Sequence, residues 1–339
     1  MVEDNMKKTN IVIIGTGMIA PAHADAINMV ERACLHGICG RNAEKTAEFA
    51  QKYGVKCYDS YEAVLADSAV DAVSICTPSG YHAEQVIQAL RHGKHVVVEK
   101  PMALNTEDCD RIIEAVKEAG KTLAVICQLR FSEDVQRVKK LYEEGAFGTV
   151  SLCDLYMKYW REPSYYTENN WRGTKALDGG GALMNQGIHG IDLLLYITGG
   201  AKIISARVNT AYHDIEVEDT AVALLEYPNG AVGVVEGSTC AYPGFERSLE
   251  IHGSRGCVIL KSGIIEKLVL DGEDVTPKSE DVERHNSSSD PKATGFIRHA
   301  KEYENFIAAI NGEEELLIDA CEGKKSVELI ENIYKKAAN

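Results

Sequence analysis

Short apolar runs and amphipathic stretches alternate through the first third of the chain. Asn10–Ile14 is continuously apolar, which predicts a strand buried on both faces. Met18–Glu31 predicts a helix. Cys34–Cys39 and Ala43–Tyr53 repeat the pair, with Asn42 as the N-cap of the second helix. Val70–Cys76 is another buried strand, Ala83–His92 a helix, and His95–Val98 a short, strongly β-branched strand. Asn105 opens a helix to Ala119, with Glu107 and Asp108 in its first turn and Gly120 at its end. Leu123–Cys127 is the last apolar run of the series. Such alternation predicts an α/β fold, a doubly wound parallel sheet with helices on both faces.

The rhythm changes near residue 148. After a helix around Asp134–Glu144, Thr149–Trp160 is a long β-rich stretch. A loop rich in aromatic and polar residues follows, then the turn Gly179–Gly181 and a helix to about Ile197. From Ile203 to Leu270 strand follows strand, most clearly Ala221–Tyr227, Ala231–Gly237, Ser248–His252 and Cys257–Lys261. Pro228-Asn229-Gly230 joins two of them as a hairpin. This predicts a large, open, mostly antiparallel sheet. Asp274–Pro291, with Ser287-Ser288-Ser289, reads as a mobile loop. Two amphipathic helices close the chain, near Gly295–Asn311 and Asp319–Ala338, and the second is a candidate to pack back on the first domain. The expected division is 1–128 and 129–339.

Composition narrows the class. The chain has 339 residues, 45% of them apolar and 26% charged, which excludes a mainly disordered chain. Its 36 basic and 51 acidic residues leave a net charge of −15, unfavourable for nucleic acid or anionic membrane partners. Ten cysteines include no Cys-x-x-Cys. Cys39, Cys76, Cys127, Cys153 and Cys257 lie inside apolar runs and read as small buried hydrophobes in a reducing compartment, with no metal site. Met1–Asn10 is polar and lacks the apolar core of a secretion signal, and no apolar run is long enough to span a membrane. The expected location is the cytoplasm.

The first strand runs into Gly15-Thr16-Gly17-Met18-Ile19-Ala20, a G-x-G-x-x-A turn. Gly15 permits the tight turn, Gly17 lets the backbone approach a pyrophosphate, and Ala20 allows close packing of helix on strand. Thr16, Met18 and Ile19 complete the turn. The helix start offers free N–H groups to phosphates. The second strand ends in Gly40-Arg41-Asn42. No carboxylate there repels a 2′-phosphate, and Arg41 can pair with one, so the expected cofactor is NAD(P), leaning to NADP. Cys76-Thr77-Pro78, His82, Glu99, Lys100 and Gln128 follow strand ends and are expected beside the cofactor, with Arg130 facing the same cleft.

Four motifs occur in order: the Gly15 turn; Glu99-Lys100-Pro101; Trp171-Arg172-Gly173 with Gly179-Gly180-Gly181-Ala182-Leu183-Met184-Asn185-Gln186-Gly187-Ile188-His189-Gly190-Ile191-Asp192; and Glu322-Gly323-Lys324-Lys325-Ser326. Together they resemble the glucose–fructose oxidoreductase, inositol dehydrogenase and rhizopine-catabolism family, Gfo/Idh/MocA. The resemblance spans nearly the whole chain. It implies a Rossmann domain followed by an α/β domain with a large open sheet, used for homodimers or homotetramers. The family's Glu-Lys-Pro lysine maps onto Lys100, and its active-site histidine onto His189. Pro101 follows a bond that is often cis in the family. Many members carry Asp four residues before the histidine; this chain has Asn185, as in the subset acting on sugar nucleotides and glycosides.

Hydride transfer from a carbinol carbon leaves a proton on oxygen. A buried lysine beside a cationic nicotinamide has a lowered pKa, and imidazole cycles near neutral pH. His189 is the expected proton acceptor and Lys100 the group that polarises the oxygen, although the two roles are interchangeable on sequence alone. Asp192, three residues on, shares a helix face with His189 and either orients it or forms a structural ion pair. Tyr159, Trp160, Arg161, Tyr165, Trp171, Arg172 and Asn185 are expected to bind substrate, with aromatic faces on sugar C–H surfaces and Arg on hydroxyls or carboxylates.

The leading expectation is an NAD(P)-dependent dehydrogenase of a sugar, glycoside or cyclitol, with C3 oxidation to a 3-keto sugar as its sharper form. A non-catalytic dinucleotide or sugar sensor, and a reductase of another carbonyl, C=C or C=N bond, are the alternatives.

Overall fold

The computed structural model describes residues 8–168, 171–277 and 295–338. The Ser287-Ser288-Ser289 stretch and the first seven residues lie outside them. The chain divides into two compact units, the first taking residues up to Ala103, Glu107–Gln128 and the later segment to Gly323.

In the first unit six strands form one wholly parallel sheet: β1 Thr9–Ile14, β2 Ala33–Cys39, β3 Lys56–Tyr58, β4 Ala72–Ile75, β5 His95–Val98 and β6 Leu123–Val125. Their spatial order is β3-β2-β1-β4-β5-β6, the doubly wound order. The crossovers are α1 Ala20–Met29, α2 Ala43–Tyr53, α3 Tyr61–Ala66, α4 His82–Arg91 and α5 Thr106–Ala119. The central strands are buried because both sheet faces are covered; Ile11, Val12, Ile13 and Ile75 have no exposed surface. Asn42 caps α2 as expected, its side chain accepting from Lys45 N, and Gly54 closes the helix in the left-handed region.

Sequence patterning did not reveal β3 and α3. β3 is three residues long, with Lys56 and Cys57 exposed, so no apolar run announces it.

The second unit is built on an eight-stranded sheet of β7 Val150–Lys158, β8 Lys202–Asn209, β9 Thr220–Glu226, β10 Val232–Ser238, β11 Ser248–Gly253, β12 Gly256–Lys261, β13 Ile264–Leu270 and β14 Glu273–Asp274. Its order is β14-β13-β12-β11-β7-β10-β9-β8. All pairs are antiparallel except β7 with β10. The helices α6 Glu133–Glu143, α7 Ser164–Thr167 and α8 Ile188–Thr198 precede β8. α8 is apolar nearly all round and buried, and it packs on β7. The opposite sheet face leaves Leu152, Val222, Leu224 and Val232 about 40% exposed.

Two helices end the chain, α9 Ile297–Ile310 and α10 Ala320–Ala337. α9 packs on α1, adding Tyr303, Phe306 and Ile307 to the first unit's core. From Lys324 onward α10 belongs to the second unit, where Glu331 accepts bonds from Thr106 N and Oγ1 at 3.2 and 2.6 Å. No helix among the described residues is long and apolar enough to cross a membrane.

One buried ion pair ties α8 to the chain entering the second unit. Arg130 donates through Nε (3.0 Å) and a terminal nitrogen (2.7 Å) to Asp192, with both side chains 1% exposed. Its guanidinium also stacks 4.6 Å from the Tyr196 ring centroid. Breaking such a pair from one side strands a buried charge. Asp192→Asn should therefore cost about 3 kcal/mol of stability, read as a lowered urea midpoint; an unchanged midpoint would show that the pair is not a structural tie.

Candidate active site

The first unit gathers its candidate residues at the carboxyl ends of its strands. Gly15 follows β1 with φ of +110°, and a Cβ there would lie 2.6 Å from Cys76 O. Only glycine fits that turn. At Gly17, which is exposed, a Cβ would meet nothing closer than 3.6 Å. The bare chain therefore does not require glycine at this second position, whereas close approach of a pyrophosphate does. α1 begins without a side-chain cap; Ala20 N is bonded to Gly17 O and Pro21 has no N–H, so what the helix start offers an anion is its dipole end and the uncapped turn before it. Thr16 and Ile19 are half-buried and Met18 is 41% exposed.

Arg41 is exposed after β2, its guanidinium 5.5 Å from the Tyr81 ring centroid, while Asn42 is committed to capping α2. Thr77 donates to Gln85 at 2.6 Å beside the half-buried Pro78. Lys100 follows β5 and is half-buried, and its bond to Pro101 is cis. Gln128, after β6, has a buried Oε1 with no hydrogen-bond partner among the described residues. An orphaned acceptor and a glycine cradle at one sheet edge fit a dinucleotide.

Four expected site residues have other partners, one of them Glu99, whose two carboxylate oxygens meet His23 Nε2 and Lys100 N instead of a coenzyme. His82 spends both ring nitrogens on backbone carbonyls, Pro101 O at 2.7 Å and Thr77 O at 2.8 Å. It clamps the loops after β4 and β5 instead of presenting an atom to a ligand, and burial pushes its pKa down. Arg130 does not face a cleft, because Asp192 holds it inside. For the same reason Asp192 is the structural partner of Arg130.

Behind β5 lies a polar cluster that the sequence did not announce. His23 Nε2 lies 2.9 Å from Glu99 Oε1, and His23 Nδ1 is 2.7 Å from Tyr303 Oη and 3.0 Å from Ser74 Oγ. Tyr303 Oη donates to Ser74 Oγ at 2.8 Å. His299 stacks edge-on against His23 with ring centroids 5.4 Å apart. The ligand-type atoms of His23, Glu99 and His299 lie within 4.8 Å of one another. Both His23 nitrogens and Glu99 already satisfy protein partners, and neither imidazole reaches solvent, so the cluster is a hydrogen-bonded ion pair with a second imidazole beside it. Burial pushes Glu99 up, but the hydrogen bond and charge of His23, with Lys100 nearby, outweigh it and hold the carboxyl at about 2. Burial, then the His23 charge, pushes His299 down to about 4.

In the second unit, Gly181 leads into a π-helical turn, Ala182–Gly187, that feeds α8. Such turns expose backbone donors and recur at functional sites. Glu218 holds this one: its carboxylate accepts from Gly181 N (3.0 Å), Leu183 N (2.8 Å) and Tyr334 Oη (2.8 Å). His189 follows in the first turn of α8, half-buried. Asn185 donates to Asp178, which also accepts from Gly173 N at 2.8 Å. The carboxylate absent from position 185 is thus supplied beside it by Asp178, seven residues earlier.

Gln186 links the arginine cluster. Its Oε1 accepts from Arg161 at 3.0 and 2.6 Å, and its Nε2 donates to Tyr165 Oη and Asn185 Oδ1, both at 2.8 Å. Arg172 lies 4.0 Å over the Tyr165 ring and 5.4 Å from the Trp171 ring, and its buried Nε has no partner among the described residues. Trp160 stacks at 5.4 Å on Tyr212 and 5.3 Å on Tyr242. Tyr159 departs from the expected group, being core at 5% exposure. Gln186 lay inside the Gly179–Asp192 motif and Asp178 just before it, neither with a role assigned, and Glu218 had no sequence signal.

These features define a two-unit, dinucleotide-binding oxidoreductase. A profile described as an oxidoreductase family with an NAD-binding Rossmann fold matches residues 9–127, and the GFO/IDH/MocA C-terminal domain matches residues 135–259. The chain belongs to the Gfo/Idh/MocA family. It is 30% identical to myo-inositol 2-dehydrogenase of Thermotoga maritima, covering 94% of this chain and 96% of that one. It is 24% identical to D-glucoside 3-dehydrogenase of Escherichia coli over 96% of this chain and 95% of that one. The solved WlbA dehydrogenase of Bordetella pertussis, in complex with NADH and UDP-GlcNAcA, superposes with a TM-score of 0.88 at 33% identity, covering 98% of this chain and 96% of that one.

The buried imidazole gives a pH test. His299 stays neutral in the fold down to about 4, below its usual 6.5. Between those values the unfolded chain binds more protons, so this residue makes stability fall as pH drops from 6.5 to 4. His23 is raised above its usual value and titrates outside that window. His299→Gln should flatten the pH dependence of the urea midpoint there by up to one proton, about 1.4 kcal/mol per pH unit. An unchanged slope would contradict a neutral, buried His299.

Proposed function

We propose that this protein is a nicotinamide-dependent dehydrogenase that oxidises a ring hydroxyl of a sugar, glycoside or sugar nucleotide to a ketone, with C3 as the carbon oxidised. The observation that carries the reading is the pair of proton-handling groups in their structural settings. Lys100 stands past the carboxyl end of β5, on the sheet edge that also carries the glycine turn and the orphaned Gln128 oxygen, and His189 stands on the helix that the Glu218-held turn presents. The bound coenzyme supplies the hydride acceptor. Gly15, Gly17 and the start of α1 hold its pyrophosphate, and Gln128 offers an acceptor to its polar end. Lys100 donates a hydrogen bond to the substrate oxygen, and His189 takes the hydroxyl proton as the carbinol carbon gives up its hydride. Arg172 meets sugar hydroxyls or an anionic substituent, its Nε having a hydrogen bond to give, while the expected Arg161 contact is set aside because that side chain is buried and spent on Gln186 and Trp160 O. Asn185, Trp160, Tyr165 and Trp171 complete the sugar subsite.

Support for C3 comes from the resemblance to a D-glucoside 3-dehydrogenase and from the position-185 departure. The relative holding UDP-GlcNAcA supports a sugar nucleotide. On coenzyme choice, Arg41 and the missing carboxylate after β2 favour NADP, whereas the solved relative holds NADH. The ten cysteines are all free, which suits the cytoplasm.

Purified protein incubated with NAD or NADP and a panel of UDP-sugars, glycosides and inositols should produce reduced coenzyme, with a 3-keto product identified by NMR. Lys100→Met and His189→Ala should each lower kcat/KM by roughly 10²-fold or more at unchanged thermal midpoint. Turnover of no polyol with either coenzyme, or variants of full activity, would reject the reading. The first case leaves a sensor, and product analysis separates it from a reductase of another bond.

The apolar strip of Leu152, Val222, Leu224 and Val232 supports self-association through the outer sheet face. Light scattering should give a dimer or tetramer, with Val222→Glu/Leu224→Glu falling to a smaller species; a monomeric wild type refutes the assignment.

A further inference from the structure

The residue before the candidate catalytic lysine is tied into the buried cluster of the first unit. Glu99 Oε2 accepts from Lys100 N at 3.1 Å while Oε1 meets His23 Nε2 at 2.9 Å. Both carboxylate oxygens are therefore engaged, one on the lysine's own backbone and one on a histidine 76 residues away in the chain. His23 is itself pinned from its other nitrogen by Tyr303 and Ser74. Four elements thus converge on the peptide that carries Lys100: α1 through His23, β4 through Ser74, α9 through Tyr303, and β5 itself.

We propose that Glu99 is a positioning residue for Lys100, fixing its backbone and stabilising its ammonium form, and that His23, backed by Ser74 and Tyr303, keeps Glu99 ionised for this task. The proposal deepens the dehydrogenase reading and rests on it only for what Lys100 then does.

Two physical arguments support it. A buried carboxyl in contact with a backbone N–H and an imidazole N–H is matched to its anionic form, since both neighbours donate. Coupling between two charges is also reciprocal: Lys100 helps lower the Glu99 pKa, so the Glu99 charge must favour the Lys100 ammonium equally. Every charged or titratable group facing Glu99 fits this arrangement. His23 comes from α1, the neutral His299 from α9, and His82, whose pKa burial lowers, from α4, while β5 leads to Lys100. Glu302 of α9 does not compete for this place, because its Oε1 is engaged by Cys127 N at 3.0 Å. The arrangement also explains why polar side chains occupy the interior of an otherwise apolar sheet–helix interface, where three aliphatic residues would pack without desolvating any charge.

The test reads Lys100 directly and needs no substrate. The pH dependence of acylation of Lys100 by acetic anhydride, quantified by mass spectrometry on its own peptide, gives the titration midpoint of that side chain in the intact protein. Glu99→Gln keeps the side-chain shape and removes the charge. It should move the Lys100 midpoint down by about one pH unit or more. His23→Gln removes the largest influence that offsets the burial of Glu99 and should raise the pH at which acid unfolding sets in. In the dehydrogenase assay, the Lys100-dependent limb of the kcat/KM profile should follow the same displacement, whereas a merely structural loss would lower the plateau and leave the limb in place. A folded Glu99→Gln with an unmoved Lys100 midpoint overturns the proposal. If that variant does not fold, an unmoved midpoint in folded Glu99→Ala does so. A displaced midpoint in a protein that oxidises no sugar upholds the Glu99–Lys100 coupling and rejects the dehydrogenase reading alone.

Discussion

Parallel pairing of β1 with β2 on one side and β4 on the other is the constraint on which the first unit depends. Parallel neighbours cannot be joined by a hairpin, so each connection is a helical crossover. The winding reverses at β1, and crossovers on its two sides cover opposite faces of the sheet. The carboxyl ends of all six strands then lie along one edge. Gly15 has a positive φ, and the Cys76 carbonyl just past β4 occupies the space a Cβ would need there. Lys100, Gln128 and the α1 N-terminus meet this same edge, each one to three residues past a strand end or at a helix start.

The second unit solves a different problem with one carboxylate. A helix start without a polar cap leaves several N–H groups unsatisfied. Gly181, Ala182 and Leu183 are all turned to residue 218, two onto its side chain and one onto its carbonyl. A side chain on Gly181 would collide with that carbonyl, which accounts for a glycine at this place. Burial raises the pKa of Glu218 even though its hydrogen bonds to the turn pull the other way. The π-helical turn runs directly into α8, where His189 follows.

Much of the first unit was legible because its signals are local. The G-x-G-x-x-A turn, the Asn42 cap and the β-branched run before Lys100 each act within a few residues, and each was found where the pattern put it. Failures occurred where the pattern was short or the partner was distant. β3 has three residues and two exposed positions, so periodicity had nothing to register. Asp192 shares a helix with His189, which suggested a catalytic role, but its carboxylate faces Arg130, 62 positions earlier. Asn185 looked like the loss of a carboxylate, yet Asp178 restores one through a hydrogen bond that no spacing rule encodes.

The sequence by itself determined the order of strands and helices in the first unit apart from β3 and α3, the turn that suits a dinucleotide, and the residue types able to move a proton. These follow from the periods of two and 3.6 and from turn chemistry, which are properties of neighbouring residues. Only the tertiary structure decided which carboxylate serves which donor, that β7 pairs in parallel with β10, and that α9 returns to the first unit to set Tyr303 against a histidine 280 residues away. Burial is the physical reason. Once water is excluded, every polar group must find a partner inside, and that partner is chosen by the packing of whole elements and not by position along the chain.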